Sequence, residues 1–349
     1  MAHVFLPKLH RISFKQNWIW GSGNFSPTLA ALFDTFRNLD ITDDPYIKHL
    51  MRQEETEEKV QKLIRSRRTN CIRRIEGLLR QSCDILQELG RWASDFYLYS
   101  AMRDFEASIA DSDMLEDDLL LEERAYLARF FASIPKPDLS PENAQVSPKM
   151  GKLISFLREM DTPEFSGLVF AQQRAVVITM SHLLSIHPET RDRFRCAPFI
   201  GYSSYFNRKR KFGDLLNVHE QHNTLTEFRF GHKNLIVATD VLEEGIDISA
   251  CSLVVCFDKP PNLKSFIQRR GRARRKESNY AIMFSSNDKS LDVKRWEDLE
   301  SKMIEDYQKE ERRLNELRAL EMINESVTGD LYVESTGYDF FFFLYFFAL

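Results

Sequence analysis

Two short blocks carry residue types whose spacing could do chemistry. The first is Val237-Ala238-Thr239-Asp240-Val241-Leu242-Glu243-Glu244-Gly245-Ile246-Asp247-Ile248, at the end of an apolar run. The second, Gln268-Arg269-Arg270-Gly271-Arg272-Ala273-Arg274-Arg275, opens twenty residues further on. Arginine keeps its charge, and its planar fork grips two phosphate oxygens at once. At spacing i, i+3, Arg272 and Arg275 would share one helical face. A glycine such as Gly245 lets the backbone approach a ligand closely. The stretch Lys259 to Lys276 holds no acidic residue, although the chain carries 48 basic and 52 acidic residues, a net charge of −4. That local inversion of sign fits a phosphate-facing patch better than a general surface. Alone, a cationic run is usually a solvated face, and Glu-Glu-Gly is usually a loop turn. The ordered pair, with a strand between, points to nucleotide or nucleic-acid chemistry.

The elements that must hold these blocks alternate between strand and helix. Apolar strands are predicted at Leu168–Ala171, Cys196–Ile200, Asn234–Thr239, Leu253–Phe257 and Tyr280–Phe284. Helices are predicted from about Gln173 to Ser185, from Thr224 to Phe230, and from Leu263 to Arg272 with Asn262 as N-cap. Such βα alternation implies an α/β fold with a parallel sheet, and functional loops should leave the carboxyl ends of its strands. Before it, from Pro45 to Phe131, glycines are few and apolar residues recur at helical spacing: Cys71, Ile75, Leu78, Leu79, Cys83, Leu86 and Leu89, continued by Trp92, Phe96 and Tyr99 as core. Acidic clusters occur at Glu54 to Glu58 and at Asp111 to Glu123, and the second reads as a solvated helix face or loop. Pro135, Pro137 and Pro141 mark a break, and Pro148 starts a helix running to about Met160.

Length and composition bound the rest. The 349 residues and an apolar share of 43% suit two or three globular domains. Five cysteines fall at no metal-ligand spacing, so no metal site is expected. Their odd number, without a signal peptide, implies a reducing compartment and an intracellular, cytoplasmic or nuclear protein. The chain divides into a connecting segment at 1–44, a helical domain at 45–145, the α/β domain at 146–289, charged helices at 290–327 and a tail at 328–349 whose last ten residues are apolar. Ten is too few to span a bilayer. The tail is expected to be out-of-frame or intron-derived sequence, with a hydrophobic docking tail as the alternative.

The two blocks resemble motifs V and VI of superfamily 2 helicases, in the second RecA-like domain of an ATP-driven nucleic-acid motor. That resemblance implies a RecA-like parallel sheet with flanking helices, preceded by an all-α helical insertion. It gives Arg272 and Arg275 the role of arginine fingers, with Arg274 as fallback, and has Gln268 orient the phosphates. Gly245 and Asp247 would meet the nucleotide, Asp247 at its sugar. Thr239 would hold an RNA phosphate. Phe170 with Arg174 resembles motif IV, and Arg269 joins these as a nucleic-acid contact.

Gln87-Glu88-Leu89-Gly90-Arg91-Trp92-Ala93 resembles part of the helical insertion of Dicer and related antiviral RNA helicases. Ser147-Pro148-Lys149 with Leu153-Ile154-Ser155-Phe156-Leu157 resembles the helix that re-enters the RecA-like domain, and Phe228-Arg229-Phe230-Gly231 the approach to motif V. Over about residues 15 to 325 the chain is similar to the Dicer-like proteins of filamentous fungi. The expected partner is double-stranded RNA, with no membrane. ATP and Mg2+ would be bound mainly by a first RecA-like domain. The chain contains no Gly-x-x-x-x-Gly-Lys-[Ser/Thr] loop and no Asp-Glu-x-His box. It therefore reads as an internal piece of such a protein or a truncated gene product, partnered by that first domain and by RNase III domains. Residues 290–327 resemble the family's pincer helices; a plain amphipathic helix is the alternative. Two rival functions remain open: a non-catalytic RNA-binding or assembly module, and a piece of a DNA helicase.

Overall fold

Six parallel strands form one sheet in the order β1-β6-β5-β2-β4-β3. They are β1 (Lys8–Phe14), β2 (Gly167–Phe170), β3 (Cys196–Phe199), β4 (Leu235–Ala238), β5 (Leu253–Cys256) and β6 (Asn279–Ser285). The structure, a computed structural model, describes residues 7–15, 25–53, 57–110, 119–200, 221–243 and 250–287, with single positions Asp298, Ser301, Lys302, Glu305 and Lys309 beyond them. Contacts group Met1–Leu291 into one compact unit and Asp292–Leu349 into a second. The charged run and the aromatic tail therefore fall almost wholly outside the described residues.

Every residue of β2, β4 and β5 is buried, as expected of parallel strands covered on both faces. Side chains alternate across a strand. Val169, Val237, Val255 and Ala281 face a large core shared with the helices. Phe170, Cys256 and Tyr280 fall on the opposite face.

The helices divide between those faces. α1 (Pro27–Arg37), α2 (Pro45–Arg52), α3 (Glu57–Ser66), α4 (Asn70–Leu89), α5 (Arg91–Ala110) and α6 (Leu121–Ala132) make up the helical part. It is joined to the sheet by α7 (Pro148–Glu159) and α8 (Arg174–Ile186). α9 (Gln221–Arg229) precedes β4, and α10 (Leu263–Arg270) packs on β5. One continuous core runs from α4 and α5 through α7 and α8 into the sheet. The expected boundary at 145/146 therefore separates two architectures within a single compact unit.

Three expectations change. First, the segment 1–44 is more than a connection, because Lys8–Phe14 adds an edge strand paired with β6 from Lys8↔Asn279 to Phe14↔Ser285. Second, the stripe of α4 runs on into α5 only in part: Trp92 is in the core and Phe96 packs against it, but Tyr99 does not. Gly90 ends α4 at φ 111°, its N–H bonding to the carbonyls of Ile85 and Leu86. The break resets the helical phase, so Trp92, Tyr97, Leu98, Ala101 and Phe105 face the core, while Phe96 and Tyr99 are half-buried. Third, α10 stops at Arg270, with Gly271 as its C-cap.

Candidate functional site

Three connections leave the carboxyl ends of β2, β4 and β5: Gln172 onward, Thr239 to Glu243, and Asp258 to Asn262. α10 starts from the last of them. The Asn262 side chain accepts from Ser265 N at 2.8 Å and caps it. The carboxyl end of α10 then brings Arg269 to Glu243.

Arg269 is only 1% exposed. Its Nε donates to Glu243 Oε1 at 2.6 Å and its Nη1 to Asp258 O at 3.3 Å. Its guanidinium lies 5.0 Å from the centroid of Phe170, which is itself fully buried. A charge withdrawn from water must be paired and hydrogen-bonded to be tolerated, and these partners do that. This corrects two expectations. Neither Arg269 nor Phe170 presents a surface to nucleic acid, because the alternation of β2 turns Phe170 under α10 and Glu243 takes up Arg269.

Arg272 and Arg275 do not share a helical face, since Gly271 ends the helix before them. They lie in the following turn and reach the carbonyls of Glu243 and Ala250. Arg272 Nη2 donates to Glu243 O at 3.0 Å. Arg275 Nε donates to Ala250 O at 3.0 Å and its Nη1 to Glu164 O at 2.6 Å. Backbone bonds from Cys251 N to Arg272 O and from Arg275 N to Cys251 O hold this turn beside β5. The two blocks are thus joined by hydrogen bonds. Glu243 holds Arg269 with its carboxylate and Arg272 with its carbonyl.

Gln268 is half-buried on α10, and Arg274 is exposed, bonded to Gly271 O. Thr239, at the end of β4, is 6% exposed, and its N–H bonds Phe199 O at 3.2 Å. Arg174 is half-buried at the first turn of α8. Gly245 and Asp247 lie outside the described residues.

Reading the motifs alone overlooked Glu243, Asp258 and Lys149. The signal for the first was present only in part, as acids in one block and bases in the other; the burial of Arg269 is seen in the structure alone. Burial pushes the thiols of Cys196 and Cys251 up to about 12 and raises that of Cys256, which lies 3.2 Å from Tyr280 OH. Such thiols stay protonated and unreactive at neutral pH. Among the described residues no group of three or more His, Cys, Asp or Glu could hold a metal ion, and no helix is long and apolar enough to cross a membrane.

Residues 148–277 match the family described as "Helicase conserved C-terminal domain". The chain is 48% identical over 341 residues to Dicer-like protein 2 of Aspergillus terreus, covering 97% of this chain and 25% of that protein. It is 47% identical to Dicer-like protein 2 of Aspergillus fumigatus, covering 94% and 24%. With Dicer-like protein 2 of Neurospora crassa the identity is 35%, covering 97% and 21%. The chain therefore spans about a quarter of the length of these curated relatives. With its parallel sheet, its preceding helical part and sequence identity along nearly its whole length, the chain carries a helicase C-terminal domain and belongs with the Dicer-like proteins of filamentous fungi.

Proposed function

We propose that this chain supplies the second wall of an ATP cleft in a Dicer-like motor that binds and processes double-stranded RNA. One observation carries the reading: Glu243 of the first block bonds both Arg269 and Arg272 of the second. That fixes the arginine-bearing turn against the connection that leaves β4. Arg272 and Arg275 are the arginines assigned to ATP. On this reading their present carbonyl partners are exchanged for phosphate oxygens when a phosphate-holding domain closes on them. Charge neutralisation of that kind is worth about 10³–10⁵ in rate in related nucleotidases. Arg174 and the end of β4 at Thr239 remain as RNA contacts, with Phe170 and Arg269 as their buried support.

ATP turnover tests the reading. The chain alone should release no phosphate, because its sequence has no Gly-x-x-x-x-Gly-Lys-[Ser/Thr] loop and no Asp-Glu-x-His box to hold the triphosphate and Mg2+. Linked to a polypeptide carrying the phosphate loop and Asp-Glu-x-His box of the same protein, it should show duplex-stimulated release. Arg272→Ala and Arg275→Ala should each lower that rate by about 10³. Turnover in the linked protein that is indifferent to both substitutions would overturn the assignment.

A further inference from the structure

Where the start of α7 meets the end of α4 and the connection after β5, one buried cation is shared between two acids. Ser147, the N-cap of α7, donates from its hydroxyl to Glu88 O at 2.6 Å and from its N–H to Leu89 O at 2.9 Å. The start of α7 therefore closes the end of α4. Two residues on, the ammonium of Lys149 lies 2.5 Å from Glu88 Oε2 on α4 and 2.7 Å from Asp258 Oδ1 beyond β5. The Lys149 side chain is 10% exposed, and its Nζ sits 3.9 Å from the centroid of Phe257. Asp258 is a junction in its own right. Its other carboxylate oxygen accepts from Gln172 N at 2.8 Å, and its carbonyl accepts from Arg269.

A continuous chain of charge-assisted bonds follows: Glu88, Lys149, Asp258, Arg269, Glu243, Arg272. It starts at the end of α4 in the helical part and finishes at the turn assigned to ATP. We infer that Lys149 is a positioning residue that couples the seating of the helical part to the arginine-bearing turn. The inference rests on the reading above only for what Arg272 does.

The stoichiometry gives it a direction. One ammonium holds two carboxylates on different parts of the fold. Without it, Glu88 and Asp258 face each other as like charges in partly buried surroundings, where repulsion is poorly screened. Loss of Lys149 should push α4 away from the β5 connection and pull on Arg269 through Asp258. A lysine that merely filled space would show no such dependence on Glu88.

Amide hydrogen exchange of the full chain, without ATP or RNA, tests this. Lys149→Met keeps the unbranched stem against Phe257 and removes the charge. Exchange along α10 and at Leu242–Glu243 should rise by about tenfold, with β4 unchanged, as for a local opening. Adding Glu88→Gln removes the repulsion and should return α10 to within about threefold of the parent. Unchanged α10 exchange in the single variant, or no rescue in the double variant, would overturn the inference. Should Lys149→Met fail to fold, the double variant decides. It should fold with α10 protected, and its failure to do so counts against the inference. Because no turnover is measured, a negative result leaves the motor reading standing, and failure of the turnover test leaves this coupling standing.

Discussion

At the scale of single residues, the decisive contact is Arg269 with Glu243. Both are almost fully withdrawn from solvent, at 1% and 8% exposure. Removing one partner of such a pair strands the other, which typically costs about 3–5 kcal/mol, whereas replacing both with apolar groups is often nearly neutral. Arg269→Met and Glu243→Leu should each lower unfolding free energy by about 3 kcal/mol. The double replacement Arg269→Met with Glu243→Leu should cost much less than the sum. Urea titrations of the four proteins check this, and strict additivity would show the pair to be uncoupled. A second residue carries a pH signature. Asp95 is 8% exposed, bonded to the Ser26 hydroxyl that caps α1, and burial lifts its carboxyl from an ordinary 3.8 to about 6. Between those values the folded chain keeps a proton that the unfolded chain has released. Its contribution is therefore fully present below about pH 4 and is lost as pH rises through 6, amounting to about 3 kcal/mol. Asp95→Asn should flatten that slope. Denaturation midpoints measured from pH 4 to 7 for both proteins would show it, and identical slopes would refute the assignment.

At the scale of elements, Gly90 shows how closely the helical part is fitted to the sheet. A Cβ there would lie 2.6 Å from both Gln145 O and Ser147 N, at a positive φ that side chains rarely adopt. Gly90→Ala must strain the backbone and move α4 off α7, so it should destabilise by more than about 2 kcal/mol. Gly77→Ala, in the same helix with nothing within 4 Å, should be neutral or slightly stabilising, by up to about 1 kcal/mol. Thermal unfolding of the two variants side by side makes the comparison. The same glycine marks the limit of what sequence showed. Runs such as Leu235–Ala238 and Leu253–Cys256 were legible because strands buried on both faces read as unbroken apolar stretches. The motif blocks were legible from their charges. The ends of helices were harder, since Gly90 and Gly271 each sit inside a pattern that continues past them. The inward turn of Phe170 and Arg269 was illegible, because periodicity says that faces alternate without saying which face meets solvent. β1 was hidden by its mixed composition. In Lys-Leu-His-Arg-Ile-Ser-Phe only Phe14 is fully buried, with Ile12 packed against the same core.

At the scale of the whole molecule, the described fold is two architectures that share their largest core, and the sheet order shows how the chain makes it. The four central and distal strands β5, β2, β4 and β3 come from a segment that begins at Gly167. β1 comes from before the helical part and lies against β6, where His10 Nε2 and Asn279 Oδ1 meet at 2.8 Å across 269 residues of chain. Lys8 and Arg11 are exposed on that outer strand, and charges of this kind discourage stray pairing at a sheet edge. The entropy of closing a loop grows only with the logarithm of its length, about 0.6 kcal/mol per doubling, so the long separation weighs little on final stability. It weighs on time. Pairings between distant parts of a chain form slowly. On a ribosome β1 emerges before the other five strands and must wait for β6, with the helices and the rest of the sheet appearing in between. The earliest of these six strands is the last to be placed, and until then the flank of β6 stands open to any other extended chain nearby.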